Sequence, residues 1–453
     1  MQDHRRPAKL IHYLSPARLL FLFYLLALII STFILSLPVA YQTGELPPFI
    51  DRLFTAVSAL SVTGLTTFSI SETFSFTGLV FVTIILHLGL LGVMSISTII
   101  LVLFGKKIGI SERRLIMQDQ NLYNYGGMVQ YIKDIILIVL AVEVVMILCL
   151  GIHFLPYFPT AKEAFFQAYF HTISALSNGG FALDNESLLP YAEDYLLQLM
   201  IMFLILVGAI GFPVLVELKT YITSSSLKRK TFRFSLYTKV TTTTYVLLLF
   251  VGTIGIYLID AWGYFQGKVW HESLFLSLFQ SITTRSAGLS TLDVSALSDA
   301  NQLFMSALMF IGASPSSAGG GIRTTTFALV IIFLITYARG GKQVQLFRRE
   351  VYEDDLMKAV TITLLAGMMF VLGVVIITYL EPFSLQAIIF EVASAFGTVG
   401  LSLGITSELT SFSKVILIIF MFIGRIGLVT FLFTFRKEDP ATIRYPKERI
   451  MIG

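Results

Sequence analysis

Four glycines constrain this chain more than any other feature. Gly64, Gly180, Gly288 and Gly400 lie in the segments SALSVTGLTTF (58–68), SALSNGGFALD (174–184), SITTRSAGLST (281–291) and SAFGTVGLSLG (394–404), at intervals of 116, 108 and 112 residues. Each follows a short apolar stretch, at 54–62, 165–178, 274–284 and 388–398. At about 9 to 14 residues these stretches are too short to cross a bilayer and read as re-entrant or interfacial segments. The spacing therefore predicts a fourfold internal repeat of span, short helix, glycine turn and span.

The solvent around those repeats is lipid. Hydrophobic residues make up 55% of the 453 and charged residues 13%, whereas soluble domains are about a quarter charged. The first apolar run, 19–40, is long enough to span, since about 20 residues at 1.5 Å each cover roughly 30 Å. It is longer than a signal-peptide core and is expected to be a retained helix. A single cysteine, Cys149, rules out an internal disulfide and is expected to be a small buried apolar residue.

Charge sets the topology. Of the 32 lysines and arginines, 25 lie in five segments, at 1–18, 105–134, 217–239, 338–358 and 436–453. Such clusters mark cytoplasmic loops, as topology signals alone or as docking points for a cytoplasmic partner as well. Each interval between them must leave and return. The expected fold is an all-α polytopic membrane protein with eight spans and both termini cytoplasmic. Four parallel repeats of helix, pore helix with filter loop, and helix would surround a central pore. The repeats are placed at 1–112, 113–226, 227–345 and 346–435, followed by a basic tail at 436–453.

Irregular backbone at membrane depth is tolerated where it lines water or is buried in protein. Four glycine turns meeting on an axis would aim carbonyl oxygens inward, where they can replace the hydration shell of a cation. Glycine suits this because such aiming needs backbone angles that a side chain penalises. The C-terminal ends of the short helices add negative potential. The expected filter residues are Val62, Thr63, Gly64, Asn178, Gly179, Gly180, Ser286, Ala287, Gly288, Thr398, Val399 and Gly400, with K⁺ as the only metal.

With its repeated span and pore-loop unit and the TVG of its last turn (Thr398, Val399, Gly400), the chain resembles the Trk/Ktr/HKT superfamily of potassium transporters. The likeness covers about residues 17–435. Eight spans without an extra N-terminal pair are closer to the bacterial Ktr membrane subunit than to the longer Trk form. The resemblance implies K⁺ uptake, Na⁺-dependent in many members, with no covalent cofactor. It also implies a cell-membrane homodimer on a cytoplasmic, nucleotide-binding ring of RCK-type (KtrA-like) subunits, with no nucleic-acid partner. Plant relatives selective for sodium carry serine at the first filter glycine, so Gly64 points to potassium. The turns at 62–64, 178–180 and 286–288 depart from TVG, which implies fewer well-formed ion sites than a symmetric filter has.

A second irregularity is GASPSSAGGGIRTTTF at 312–327, which interrupts an apolar segment too long for one span. The resemblance implies an intramembrane loop here. The expected gate comprises Gly312, Ala313, Ser314, Pro315, Ser316, Ser317, Ala318, Gly319, Gly320 and Gly321, held closed by hydrogen bonds from Arg425 in the last span. Arg285, three residues before Gly288, would repel a cation if it faced the pore, so it is expected behind the filter and paired with Glu391. Glu143 has no evident partner beyond a hydrogen bond at a dimer interface, and His87 and His171 are expected to satisfy helix contacts. Two other classes fit less well. An alternating-access secondary transporter also uses broken helices but typically shows inverted or twofold repeats. GLSLG at 400–404 matches the nucleophile pattern of a serine hydrolase, with Ser402 as nucleophile, but Thr66, Ala182 and Ser290 at equivalent positions argue against it. Walker A and HExxH patterns do not occur.

Overall fold

A computed structural model of the protein describes residues 16–92, 127–341 and 343–435. The expected basic tail at 436–453 and most of the basic segments 1–18 and 105–134 lie outside the described residues. Leaving aside the short helices Ile70–Thr73 and Ser226–Thr231, the helices in order are α1 (Pro16–Leu35), α2 (Phe49–Leu60), α3 (Phe76–Leu91), α4 (Met128–Phe154), α5 (Ala161–Ser177), α6 (Tyr195–Ala209) and α7 (Phe212–Thr223). Next come α8 (Leu236–Ile259), α9 (Trp270–Thr283), α10 (Asp299–Ile311), α11 (Thr324–Ala338), α12 (Glu353–Leu380), α13 (Leu385–Gly397), α14 (Ser411–Ile426) and α15 (Leu428–Phe435). A two-residue hairpin pairs Gln345 with Glu350 and Leu346 with Arg349.

Helix is the natural form for these apolar runs, because a backbone in lipid has to satisfy its hydrogen bonds within itself. Where the runs begin, short polar side chains take up the free amides. Ser75, Asp194, Ser298 and Thr410 cap α3, α6, α10 and α14, each accepting from an amide three residues on. Caps of this kind stabilise a helix by about 1 kcal/mol each. Thr160 and Ser384 do the same for the short helices α5 and α13.

Four of these helices, at 17–35, 128–154, 236–259 and 353–380, are long and apolar enough to cross a membrane alone. The other expected spans are built differently. Only the third was expected to be broken, yet all four of the helices that follow a glycine loop stop at a glycine of positive φ. Gly92 (φ 78°), Gly211 (φ 100°), Gly312 (φ 66°) and Gly427 (φ 89°) end α3, precede α7, end α10 and end α14. The axis turns by 103° between α6 and α7. A side chain at such a φ costs about 1–2 kcal/mol, which glycine avoids.

Contacts between helices close on themselves. α3 packs on α5, α6 on α9, α10 on α13, and α14 on α2, so each post-loop helix touches the next short helix and the last touches the first. The short helices are buried along their C-terminal halves, from Phe54 to Leu60 in α2 and from Ile388 to Gly397 in α13 apart from Ile389. The long helices turn an apolar face outward, with Leu137, Val144 and Leu148 of α4 and Leu364, Met368 and Val371 of α12 all exposed. Cys149 lies on that outward side of α4 and is exposed rather than buried. A helix whose solvent is lipid has no need to hide a small apolar side chain.

Candidate ion-binding site

The C-terminal ends of the four short helices bring their glycine loops together in cyclic order. A Cβ placed on Gly64 would fall 2.6 Å from the carbonyl oxygen of Gly179, and one on Gly180 would fall 3.0 Å from that of Ala287. On Gly288 it would run into the oxygen of Val399, and on Gly400 into that of Thr63. Each glycine thus faces the carbonyl that precedes the glycine of the next loop. No side chain fits at any of the four without displacing backbone.

The backbone angles explain how the carbonyls are aimed. The glycines have φ of 95°, 68°, 72° and 100°, and two residues before them Val62 (57°), Asn178 (58°), Ser286 (94°) and Thr398 (48°) are also left-handed. Alternating a left-handed residue with an ordinary one swings successive carbonyls to the same side of the chain. For a non-glycine residue, above all β-branched Val62 and Thr398, this is uncommon. Such conformations cost about 1–3 kcal/mol each and persist only where the surroundings enforce them.

The enforcement is visible in hydrogen bonds. Ser58 Oγ accepts from Gly64 N at 3.0 Å, and Ser394 Oγ accepts from Gly400 N at 3.0 Å. Ser174 Oγ donates to Phe181 O at 2.6 Å and Thr283 Oγ1 to Leu289 O at 2.5 Å. Backbone bonds from Thr63 to Ser58, Gly179 to Ser174, Val399 to Ser394 and Ala287 to Thr283 tie the loops to their helices. Chemically, the result is a cluster of neutral, fixed oxygen ligands suited to a weakly hydrated monovalent cation. Among the described residues, no group of three or more His, Cys, Asp or Glu is placed to hold a metal.

Residues 312–323 lie directly against those loops. Gly319 packs on Ser286 and Gly320 on Thr398, with Gly320 N donating to Ser286 Oγ at 3.3 Å. Ser286 Oγ in turn donates to Thr398 O at 2.6 Å. The segment is held on the other side by α6 and α7. Ser314 N donates to Ala209 O, Ala318 N to Gly208 O, and Phe212 N to Ser316 O. Tyr237 donates to Pro315 O at 2.6 Å. Ser317 Oγ donates to Ser314 O, and Ala313 N pairs with Gly320 O across the segment. Gly312 and Gly321 sit against each other at its neck, both with positive φ.

Two arginines clasp this segment. Arg425 donates to Ser317 O and Ala318 O and also reaches Gly89 O on α3. Arg323, which the sequence reading passed over, donates to Ser314 O and Gly319 O. It was inconspicuous because it sits at the helix edge, where an arginine ordinarily meets solvent.

Arg285 and Glu391 are both buried, but they do not pair. Arg285 turns toward α8 and α10, donating to Leu248 O at 3.4 Å and Leu308 O at 3.5 Å. Glu391 instead accepts from Ser402 Oγ and, at 3.1 Å, from Thr406 Oγ1, and so fastens the segment after Gly400. Ser402 therefore meets a carboxylate and a threonine, and among the described residues no histidine base is bonded to it. Glu143 has a partner after all, His87 Nε2 at 2.9 Å. His171 has no hydrogen-bond partner at either ring nitrogen among the described residues and packs against Phe154 and Phe170.

Membrane-length apolar helices around converging glycine loops that present neutral oxygens define a multi-pass cation transport protein. The chain belongs to the TrkH family of cation transport proteins, which matches residues 26–444. It is 49% identical over 446 residues to Ktr system potassium uptake protein D of Bacillus subtilis (strain 168), covering 98% of this chain and 99% of that protein. It is 31% identical over 448 residues to the potassium/sodium uptake protein NtpJ of Enterococcus hirae, covering 97% and 98%. Its fold matches the potassium transporter TrkH of Vibrio parahaemolyticus with a TM-score of 0.69 at 17% identity, over 96% of this chain and 87% of that one. The relatives are transporters, not enzymes.

Proposed function

We propose that this chain takes up K⁺ across the cell membrane through a central, gated pore whose filter is the ring of carbonyls around Gly64, Gly180, Gly288 and Gly400. One observation carries the reading: each of the four glycines abuts the carbonyl before the next one, in cyclic order. Only neutral oxygens are presented there, as K⁺ requires once it sheds water. The four units of long helix, short helix and broken helix are then the repeats, parallel about the pore axis. Their boundaries fall at about 112, 226 and 345, with both termini cytoplasmic. The names of the relatives, potassium uptake proteins and a potassium/sodium uptake protein, support the ion.

Below the filter, Gly312 to Gly321 is the gate, and Arg323 and Arg425 hold it across the pore. Their charges add an electrostatic barrier to cations. By resemblance, the protein works as a homodimer on an RCK-type ring that senses a nucleotide, with Na⁺ as an activator. The test is uptake of Rb⁺ or K⁺ into liposomes holding the purified chain. Flux that follows the electrochemical gradient, many ions per opening, supports the pore. Strict coupling to another ion at fixed stoichiometry would replace it with an alternating-access carrier.

A further inference from the structure

Among the described residues, Arg285 is the most deeply buried charged side chain, with a relative exposure of 0%. It stands in the third glycine loop, immediately before Ser286, whose hydroxyl reaches the fourth loop. The corresponding positions of the other loops hold Ser61, Ser177 and Gly397, none of them charged. The third loop is also anchored differently: Ala287 N bonds to Thr283 O four residues back, where Thr63, Gly179 and Val399 each bond to a serine five residues back. Arg285 lies just outside the three residues of that loop expected to form the filter, Ser286 to Gly288.

Among the described residues, no acidic side chain pairs with this charge. The two bonds it makes go to carbonyls of Leu248 and Leu308 at 3.4 and 3.5 Å, at the long limit of a hydrogen bond. Its Nε has no partner among the described residues, and none of the described ion pairs includes it. Glu391, the acid closest in the expected scheme, is engaged with Ser402 and Thr406. Removing one partner's charge from a buried pair is costly, so an arginine kept in lipid-depth protein without a partner calls for a use.

We propose that Arg285 is an affinity-setting residue: its unpaired charge, held behind the third loop, lowers the affinity of every monovalent cation in the filter by the same factor. The inference rests on the glycine loops being the ion site. Selectivity comes from the distances and number of carbonyls, whereas a remote point charge acts on K⁺, Rb⁺ and Na⁺ alike. Conduction needs ions bound well enough to enter and weakly enough to leave. A ring of fixed oxygens at helix C-termini is strongly attractive to cations, and a fixed positive charge behind it opposes that attraction. For unit charges about 10 Å apart at an effective dielectric of about 20, the effect on a binding constant is about tenfold.

The experiment is isothermal titration of the purified, full-length protein in detergent with KCl, RbCl and NaCl, repeated for Arg285→Gln and Arg285→Lys. Arg285→Gln is expected to tighten all three about tenfold and leave their ratios unchanged. Arg285→Lys keeps the charge and loses the planar fork, and is expected to bind like the parent. Weaker binding or an altered ratio in Arg285→Gln overturns the proposal, because it makes the arginine a tie that shapes the loop. An affinity shift in Arg285→Lys, or its failure to fold, overturns it on the same ground. Should the parent protein itself not bind K⁺, the filter reading fails, and that outcome is distinct from a parent that binds and a variant that does not tighten.

Discussion

A methyl group added at Gly64 should damage ion selection far more than one added at Gly180. Both glycines have positive φ, 95° and 68°, so alanine at either place carries a conformational cost of about 1–2 kcal/mol, a factor of roughly 5 to 30. Packing separates them. The Cβ of Gly64→Ala would lie 2.6 Å from Gly179 O and 2.8 Å from Gly180 Cα, where ordinary contact begins at 3.4 Å, so about 0.8 Å has to open between the first two loops. The Cβ of Gly180→Ala would lie 3.0 Å from Ala287 O, 3.1 Å from Gly288 Cα and 3.2 Å from Thr63 O, and about 0.4 Å suffices. Because the carbonyls themselves are displaced, the loss should appear as K⁺ affinity and as the K⁺/Na⁺ ratio together. Titration of each variant with KCl and NaCl, alongside melting in the same detergent, would read this directly. The expected result is a loss of more than tenfold for Gly64→Ala and a smaller loss for Gly180→Ala. Unchanged affinity in Gly64→Ala, or equal damage in both, would refute the carbonyl ring.

Other outcomes follow from single contacts. Arg425→Ala, or deletion of 314–320, should raise K⁺ flux in liposomes without a cytoplasmic partner, because the clasp on Ser317 O and Ala318 O is gone; unchanged flux in a folded variant would remove the gate. Ser394→Ala leaves the half-buried Gly400 N without its acceptor, a loss of about 1 kcal/mol, read as a lower melting temperature and weaker K⁺ binding. On the loop before α6, burial alone would raise the Asp194 carboxyl, but donation from Leu197 N, His153 and Tyr157 outweighs it and holds the carboxyl below its ordinary range. Its contribution is therefore complete above about pH 4 and lost as pH falls through the lower folded value. Asp194→Asn should flatten the acid limb of the melting profile, and an unaltered limb would show that the carboxylate contributes nothing.

The glycine turns were legible because four copies of one pattern recur at nearly constant spacing, and the short helices because their apolar runs are half the length of a span. What escaped was set by tertiary structure. Val62 and Thr398 are β-branched, a strand preference in any sequence reading, yet the packed loops force both into left-handed backbone. Gly92, Gly211 and Gly427 each stand in an apolar run, where an isolated glycine reads as a close helix contact rather than a break. The His87–Glu143 contact joins residues 56 apart, and nothing local in the chain announces it. The expected Arg285–Glu391 pair failed for a related reason. The third glycine loop and the neighbouring short helix α13 do carry both charges, but each side chain turns to its own side of the ring, Arg285 to α8 and α10 and Glu391 to the segment 402–406.

The glycine breaks give the molecule two tiers with different rigidity. Above them, the short helices and their loops are locked by backbone bonds and hydroxyl ties. Below them, α15 is joined to α14 through Gly427 alone and α7 to α6 through Ile210 and Gly211, whereas α11 follows the segment 312–323; around Gly427 nothing stands within 4 Å of where a side chain would go. A torque applied to α7 or α15 meets these joints before it meets the glycine loops. On the proposed reading, in which the glycine loops choose the ion and the segment 312–321 gates it, ion preference would stay constant while α7 and α15 swing, and opening and choosing would be mechanically separate operations.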